Sequence, residues 1–488
     1  MIQQFIFLLL TFLLGLSFLS LFKKNLNGIF ILILSFPAGL SLWALVILSL
    51  LILGIPTLPL IVIGLDGILL LVFIFIHLKK KNISRKDLKL CMVYCLVFSL
   101  LAVVFIGLNY SFFSNDSWLL IIGGKAISIG GQVPDTLMAS WGIFSYIFLS
   151  SANYFGFEYS YALFPLSMLS LFGLFFYGLY SFRNHGKIKI DHRFYFCLLA
   201  TFFIGSSFFI IFNMFYIISN VLAAVFSFLS LFSLYQRLET KQRAWTALFV
   251  LFLIPVALLR LEGGLFFLIP VIIFISREDI PEKEKNAYTG ITISIIFLWF
   301  LRLSHSLSDF NFPNDTTGYN FQIIGLFLAA YLVFMIYLLL NRFKFIRRLS
   351  AYFPLIFLIS LTCTWIFMIF TRGLYVKGAA LMVIKRYGDF FINLLKDGRW
   401  GVIWIALPIL FFFAIFIKKV KYESVFTTYI ISFLLLFNCI NIFRYGWRRG
   451  WGDSGNRMLL QVVIIFAFYV FMKLTSAAFS KKESLDEN

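Results

Sequence analysis

Runs of about 15 to 25 apolar positions recur along the whole chain, separated by short clusters rich in Lys, Arg, Asn, Ser and Gly. A helix that crosses a bilayer takes roughly 20 apolar residues, and these runs lack the polar stripe of a soluble helix. They predict helices over 3–22, 29–53, 57–77, 90–108, 159–182, 194–212, 215–235, 244–259, 262–276, 287–305, 321–340, 350–370, 401–417, 424–442 and 458–475. The pair within 244–276 is short for two full crossings. The expected fold class is therefore all-α: a polytopic integral membrane protein with about 13–15 transmembrane helices.

Composition agrees with that pattern. Of 488 residues, 61% are hydrophobic and 13% charged, half the charge of an ordinary soluble domain. A soluble enzyme, a disordered chain and a nucleic-acid binder are excluded, although the net charge is +20. Sorting the 41 Lys and Arg by loop sets an orientation, because cytoplasmic loops carry the excess of cations. Alternate loops from 23–28 to the tail at Lys481 hold 27 of them, and the opposite side holds 13. The expected topology has the N-terminus outside and the C-terminus cytoplasmic. The start, Met1-Ile2-Gln3-Gln4, has neither a basic leader nor a small-residue cleavage site and reads as a retained first helix.

Three outer loops stand apart from the rest: 109–158, 371–401 and 443–457. The last two contain 10 of the 13 outer cations, against the topological bias. An anionic ligand held at the outer leaflet would account for them. In the first loop, Ser114-Asn115-Asp116 precedes a short helix expected from Ser117 to about Ile129, with Trp118, Leu119, Ile122, Ala126 and Ile129 near one face. That helix would lie in the interface, and Gly130-Gly131 would end it. Asp116, Asn115 or Ser114 would cap this helix, and for Asp116 a chemical role is compatible with capping. Asp135 is a second carboxylate, in an ordinary Pro-Asp turn. Segment 371–401 has an amphipathic pattern with Lys385 and Arg386, and segment 443–457 sets Arg448, Arg449 and Arg457 among Trp, Tyr and Gly. Arg260 and Glu262 interrupt the apolar 244–276 pair. Their spacing would point them apart on a continuous helix, so a turn is expected there.

Three stretches carry a family resemblance. They are the acidic residue, aromatic and Gly-Gly-x-x-Pro break after Asn115; Leu259-Arg260-Leu261-Glu262-Gly263-Gly264; and Gly455-Asn456-Arg457-Met458-Leu459-Leu460. Taken in order, they resemble the first outer loop, the Arg-Pro-Glu-Gly turn and the final-loop segment of GT-C superfamily glycosyltransferases. Leu261 stands where that family has proline, and three additional helices precede the one that leads into the first loop. The resemblance implies a GT-C-like core at 90–305 containing the loop 109–158. An extra N-terminal bundle at 1–89 and a C-terminal region at 306–488 with the two basic loops would flank it. It further implies inverting transfer of a sugar from a polyprenyl-phosphate donor to an acceptor hydroxyl on a glycan, lipid or protein, in a bacterial plasma membrane. Asp116 would be the general base. Arg457, Arg448, Arg449, Arg260, Glu262, Lys385, Arg386 and Asp135 would bind donor phosphate or substrate. A divalent cation remains possible as cofactor, with no metal site assigned.

Two other classes fit parts of the pattern. An O-antigen-type polymerase or ligase would concentrate its arginines in one dominant outer loop. A lipid or solute transporter would place charge inside its helices, for which Asp66 is the main hint. The five cysteines lie in apolar runs without ligand spacing, and neither a nucleotide-binding loop nor a His-Glu-x-x-His motif occurs. Short cytoplasmic loops leave no room for a soluble nucleotide-sugar domain, which favours a lipid-linked donor.

Overall fold

The computed structural model describes residues 1–79, 85–130, 142–182, 190–308, 316–375, 387–443, 449–450 and 454–479. In chain order the helices are α1 (Ile2–Ser20), α2 (Gly28–Leu53), α3 (Pro59–Lys79), α4 (Arg85–Leu108), α5 (Asn115–Gly130), α6 (Ile143–Phe155) and α7 (Leu163–Ser181). They continue with α8 (His192–Gly205), α9 (Phe208–Met214), α10 (Ser219–Thr240), α11 (Ala244–Leu258), α12 (Gly263–Phe266), α13 (Leu268–Ile275) and α14 (Glu282–Ser308). The last are α15 (Thr316–Leu340), α16 (Lys344–Ser350), α17 (Phe353–Tyr375), α18 (Ile403–Ile415), α19 (Ser424–Phe443), α20 (Ser454–Met458) and α21 (Leu460–Phe479). Among the described residues there is no β-strand, and one isolated parallel bridge joins Phe112 to Tyr216.

Nine helical stretches among the described residues are long and apolar enough to cross a membrane. The α8–α9 pair meets the same test jointly, and five further apolar helices of 10–17 residues fall short of it. The chain is an all-helical, polytopic membrane protein. Where the sequence predicts one continuous span over 194–212, the helix instead breaks and bends by 76° between α8 and α9. Gly205-Ser206-Ser207 sits at the break, and the backbone groups freed there find partners. Ser207 Oγ donates to Trp400 O at 3.0 Å, and Phe209 N donates to Arg399 O at 3.2 Å.

The chain forms two compact units. The first comprises Met1–Leu171, Phe215–Leu268 and Ile280–Arg347; the second comprises Phe172–Met214, Ile269–Asp279 and Arg348–Asn488. Within the first unit α1 and α2 pack on each other, α1 also packs on α3 and α4, and α2 packs on α6 and α11. The N-terminal helices are thus part of the same body as the first loop. In the second unit α21 packs against α8, α18 and α19.

Contacts between these helices rely on small residues. Gly15 of α1 and Gly39 of α2 face the partner backbone: a Cβ on Gly15 would overlap Ser35 O, and one on Gly39 would overlap Thr11 O. Between helices in lipid, close van der Waals approach replaces the hydrophobic gain available in water. The same device joins α5 to α6, where a Cβ on Gly123 would overlap the Tyr146 ring and one on Gly124 would come within 2.9 Å of Leu149 C. The inward face of α5 is Ser117, Leu120, Gly123, Gly124 and Ile127, while Trp118, Leu119, Ile122 and Ile129 form its exposed apolar face. An apolar face left outward suits a helix lying against lipid.

Helix α6 departs from the sequence reading, which leaves 143–155 in a loop. Eleven of its 13 residues are buried. It is too short to register as a span, and its hydroxyls interrupt the apolar pattern. Those hydroxyls are satisfied inside the fold: Ser145 Oγ donates to Leu259 O at 2.6 Å, and Ser151 Oγ donates to Phe148 O at 2.7 Å.

Each unit holds an ion pair that links helices distant in sequence. Arg237 holds Glu284 through two bonds of 2.8 and 3.0 Å, with Thr246 on the same carboxylate. In the second unit Lys473 lies 3.1 Å from Glu423 and donates to Ile417 O at 2.9 Å.

Replacing Gly39 by Val should lower the thermal unfolding midpoint of the purified protein, since overpacking costs about 1–3 kcal/mol or more. Gly64→Ala, at a helical position with nothing near its Cβ, should leave the midpoint unchanged or raise it. Equal midpoints for Gly39→Val and the parent protein would show that this crossing does not hold the helices together.

Candidate functional site

The first unit gathers three irregular segments: the approach to α5, the link 215–218 before α10, and the turn 259–262 after α11. The approach to α5 is anchored by serines. Ser117 N donates to Ser114 Oγ at 3.4 Å, while Ser114 N donates to Ser117 Oγ at 3.2 Å. This reciprocal arrangement is a capping box built from two hydroxyls. Ser114 therefore caps the helix, and Asp116 stands half-buried in its first turn. Of the three capping candidates at 114–116, Ser114 makes the cap bond to Ser117 N.

The same serines tie the helix start to the link before α10. Ser117 Oγ donates to Ile217 O at 2.8 Å, and Tyr216 OH donates to Ser114 Oγ at 2.6 Å. Backbone bonds of 2.9 Å from Phe112 N to Phe215 O and 3.3 Å from Ile217 N to Phe112 O complete the clamp. Two residues further on, α10 opens with Ser219 and Asn220, both fully buried. Arg260 reaches this point: its Nη1 donates to Asn220 Oδ1 at 2.8 Å and to Ser219 Oγ at 3.4 Å. Its Nε lies 3.4 Å from Glu262 Oε2.

Arg260 and Glu262 occupy a turn between α11 and α12, which allows two residues at this spacing to meet. Three contacts brace the turn. Ser145 bonds Leu259 O, and Tyr331 OH donates to Gly264 O at 3.1 Å. Gly142, at φ +73, lies so close that a Cβ would stand 2.6 Å from Arg260 N. A side chain there would be strained by the backbone angle and by the contact together. Both charges are nearly inaccessible, at 4% and 3% exposure. Charges held this deep are rare in membrane proteins and face one another or a cavity.

The sequence marks Ser114 as a capping candidate but does not single out Asn220, Ser117 or Tyr216. A single Asn in the apolar stretch Ile217-Ile218-Ser219-Asn220-Val221 was the available signal. Its Nδ2 is buried without a hydrogen-bond partner, leaving a donor beside Arg260.

The second unit brings the two late basic segments together. Trp400 Nε1 donates to Asn456 Oδ1 at 2.6 Å, and Asn456 Nδ2 donates to Gly398 O at 3.4 Å. Gly450 N donates to Asn393 Oδ1 at 2.8 Å, and Arg449 pairs with Asp389 at 2.5 Å. That hydrogen bond and its charge hold the Arg449 guanidinium above its ordinary range. A π-helical turn, Asn393–Asp397, and Gly398 form the hinge of this contact, where a Cβ on Gly398 would overlap Asn393 O. Arg457 lies in α20 and is 5% exposed. Asp135, Lys385, Arg386 and Arg448 lie outside the described residues.

No known protein family, curated protein or solved structure matches this chain. Among the described residues no group of three His, Cys, Asp or Glu is placed to hold a metal ion. In the first unit the Arg260 guanidinium and the buried amide of Asn220 lie side by side.

Removing one member of a buried ion pair leaves the other uncompensated, at about 3–5 kcal/mol. Arg260→Met and Glu262→Gln should each lower the unfolding midpoint, and the double variant should recover part of the loss. Additive losses in the double variant would show that the two charges act separately.

Proposed function

We propose that this chain is a membrane glycosyltransferase of the GT-C type, acting on a polyprenyl-phosphate-linked sugar. The observation that carries the reading is the serine clamp at 114–117. It fixes the first turn of α5, which carries Asp116, and fastens that helix to the segment that leads into α10, where Asn220 meets Arg260 and its partner Glu262.

In this reading the acceptor hydroxyl gives its proton to an Asp116 carboxylate oxygen. Its own oxygen bonds to the anomeric carbon, and the bond from that carbon to the donor phosphate breaks. The electron pair leaves with the phosphate, and the sugar is inverted. A positioned carboxylate speeds such an attack by about 10²–10⁴-fold. Arg260 and the Asn220 amide orient the sugar or its phosphate, with Glu262 holding the guanidinium in place. Arg457, in the second unit, offers a planar and permanently charged guanidinium of the kind that suits an anionic lipid phosphate. Arg449, already paired with Asp389, is the weaker phosphate contact of the described arginines.

A second reading, a lipid or solute transporter, draws on the interrupted helices α8–α9 and α11–α13, since discontinuous helices line transport paths. It predicts movement of substrate across sealed vesicles with no covalent product.

The test follows sugar transfer from a labelled polyprenyl-phosphate donor by the purified protein. Asp116→Asn should lower turnover at least about 100-fold with expression and unfolding midpoint preserved. Ser114→Ala should lower stability by about 1 kcal/mol while retaining turnover. Arg457→Ala should raise the donor KM more than the acceptor KM. Full turnover in Asp116→Asn would remove the general-base assignment, and absence of any glycosylated product from the parent protein would remove the reading as a whole.

A further inference from the structure

The first unit contains a carboxylate that the proposed reaction does not use. Asp66 lies in the first half of α3, about 10 Å along the helix from Pro59. It lines a cavity of about 110 Å³ together with Phe7, Thr11, Trp43, Phe155 and neighbouring aliphatic side chains. Neither carboxylate oxygen has a hydrogen-bond partner, and both are shielded from solvent. The Trp43 indole Nε1 is likewise buried without an acceptor.

Among the described residues no cation pairs with this group. The helices that pack most on α3 are α1, α2 and α6, and none of the three contains Lys, Arg or His. His77, at the far end of α3, is engaged with Ser17 O at 3.0 Å. Thr11 Oγ1 donates to its own helix at Phe7 O. An ionised carboxylate in an apolar bundle is costly unless a cation accompanies it.

The rest of the lining indicates which cation. Three aromatic rings form a mutually touching set: Phe7 to Trp43 at 5.4 Å, Phe7 to Phe155 at 5.4 Å and Trp43 to Phe155 at 5.9 Å. Aromatic faces attract organic ammonium ions, and the attraction strengthens where water is excluded. A compact, strongly hydrated metal ion would lose its water here with one carboxylate and few other oxygens to replace it. An alkylammonium sheds water more readily and fills the cavity with carbon. The orphaned indole N–H adds a donor for an oxygen near the charge.

We infer that this cavity is a binding site for an amino-alcohol ammonium group of the ethanolamine or choline kind. Asp66 neutralises the charge, Phe7, Trp43 and Phe155 surround it, and the Trp43 N–H takes the adjacent oxygen. Such a group can come from a phospholipid headgroup or from a free amino alcohol. The inference rests on the cavity alone and does not depend on glycosyl transfer.

Equilibrium binding of radiolabelled choline and of radiolabelled ethanolamine to the full-length protein tests it. The protein is placed in nanodiscs of phosphatidylglycerol alone, and in discs that also contain phosphatidylethanolamine. Saturable binding in the first discs is expected, with affinity at least about tenfold weaker in Asp66→Asn and weaker again in Phe155→Leu than in the parent. Loss of that binding in the mixed discs identifies a lipid headgroup as the source, and its persistence identifies the free amine. Unfolding midpoints of both variants confirm that they are folded, and either one suffices for the comparison. No saturable binding to the parent protein, or equal binding by Asp66→Asn, overturns the inference.

Discussion

A polar group inside a hydrocarbon bundle has no water to turn to, and this single constraint organises the molecule. Each buried donor, acceptor or charge must find a partner within the protein or leave an energetic cost behind. The same environment removes most of the hydrophobic gain from bringing two helices together, so association depends on close contact and on a few polar links. The glycines at α1–α2 and α5–α6 supply the contact. Arg237 with Glu284, and Lys473 with Glu423, supply links that tie helices distant in sequence.

The candidate site follows from that constraint. Helices stop at 108–114, 215–218 and 259–262, and each stop frees backbone groups that α-helical bonding no longer uses. Irregular backbone is tolerated at such depth only where protein surrounds it. The three stops satisfy one another through Ser117 to Ile217 O, Phe112 with 215–217, and Ser145 to Leu259 O. Meeting the needs of the freed backbone also brings polar side chains together. Arg260 lands on Asn220 because the turn that carries it must pack against the start of α10.

Much of the fold is legible in the hydropathy pattern, since a span must be apolar along its whole length. Helix α2 begins one residue before the predicted 29 and ends at the predicted 53, and α7 lies within 159–182. What the pattern hides is whatever depends on distant partners. The bend at Ser206-Ser207 is stabilised by residues 399–400, nearly 200 positions away, and no local window contains that information. Helix α6 is hidden because its serines look like loop residues until their carbonyl partners are in place. For the site, charge was the useful signal. Asp116, Arg260 and Glu262 stand out because charge is scarce in this chain, whereas Ser117 and Asn220 resemble many uncharged polar residues elsewhere. The unit boundaries were not legible, because they are a property of contacts and not of composition.

The net charge of +20 takes on a different meaning once partners are known. A tally by loop treats every cation as equivalent, yet those described here do several separate jobs. Arg237 holds a buried carboxylate and Arg193 bonds Phe182 O, so some of the apparent topological signal is internal structure. Arg449 is bound to Asp389, which lowers its availability to a phosphate. An anion-binding role in the late segments therefore cannot be argued from the number of arginines there. It has to rest on individual positions, and among the described residues Arg457 carries it better than Arg449, being buried beside the link from Asn456 to Trp400. The carboxylates divide in the same way. Glu284 and Glu423 are answered by resident cations, while Asp66 has none on the helices packed against it. In a membrane protein, a charge that the fold itself leaves unanswered is the strongest indication of something that binds.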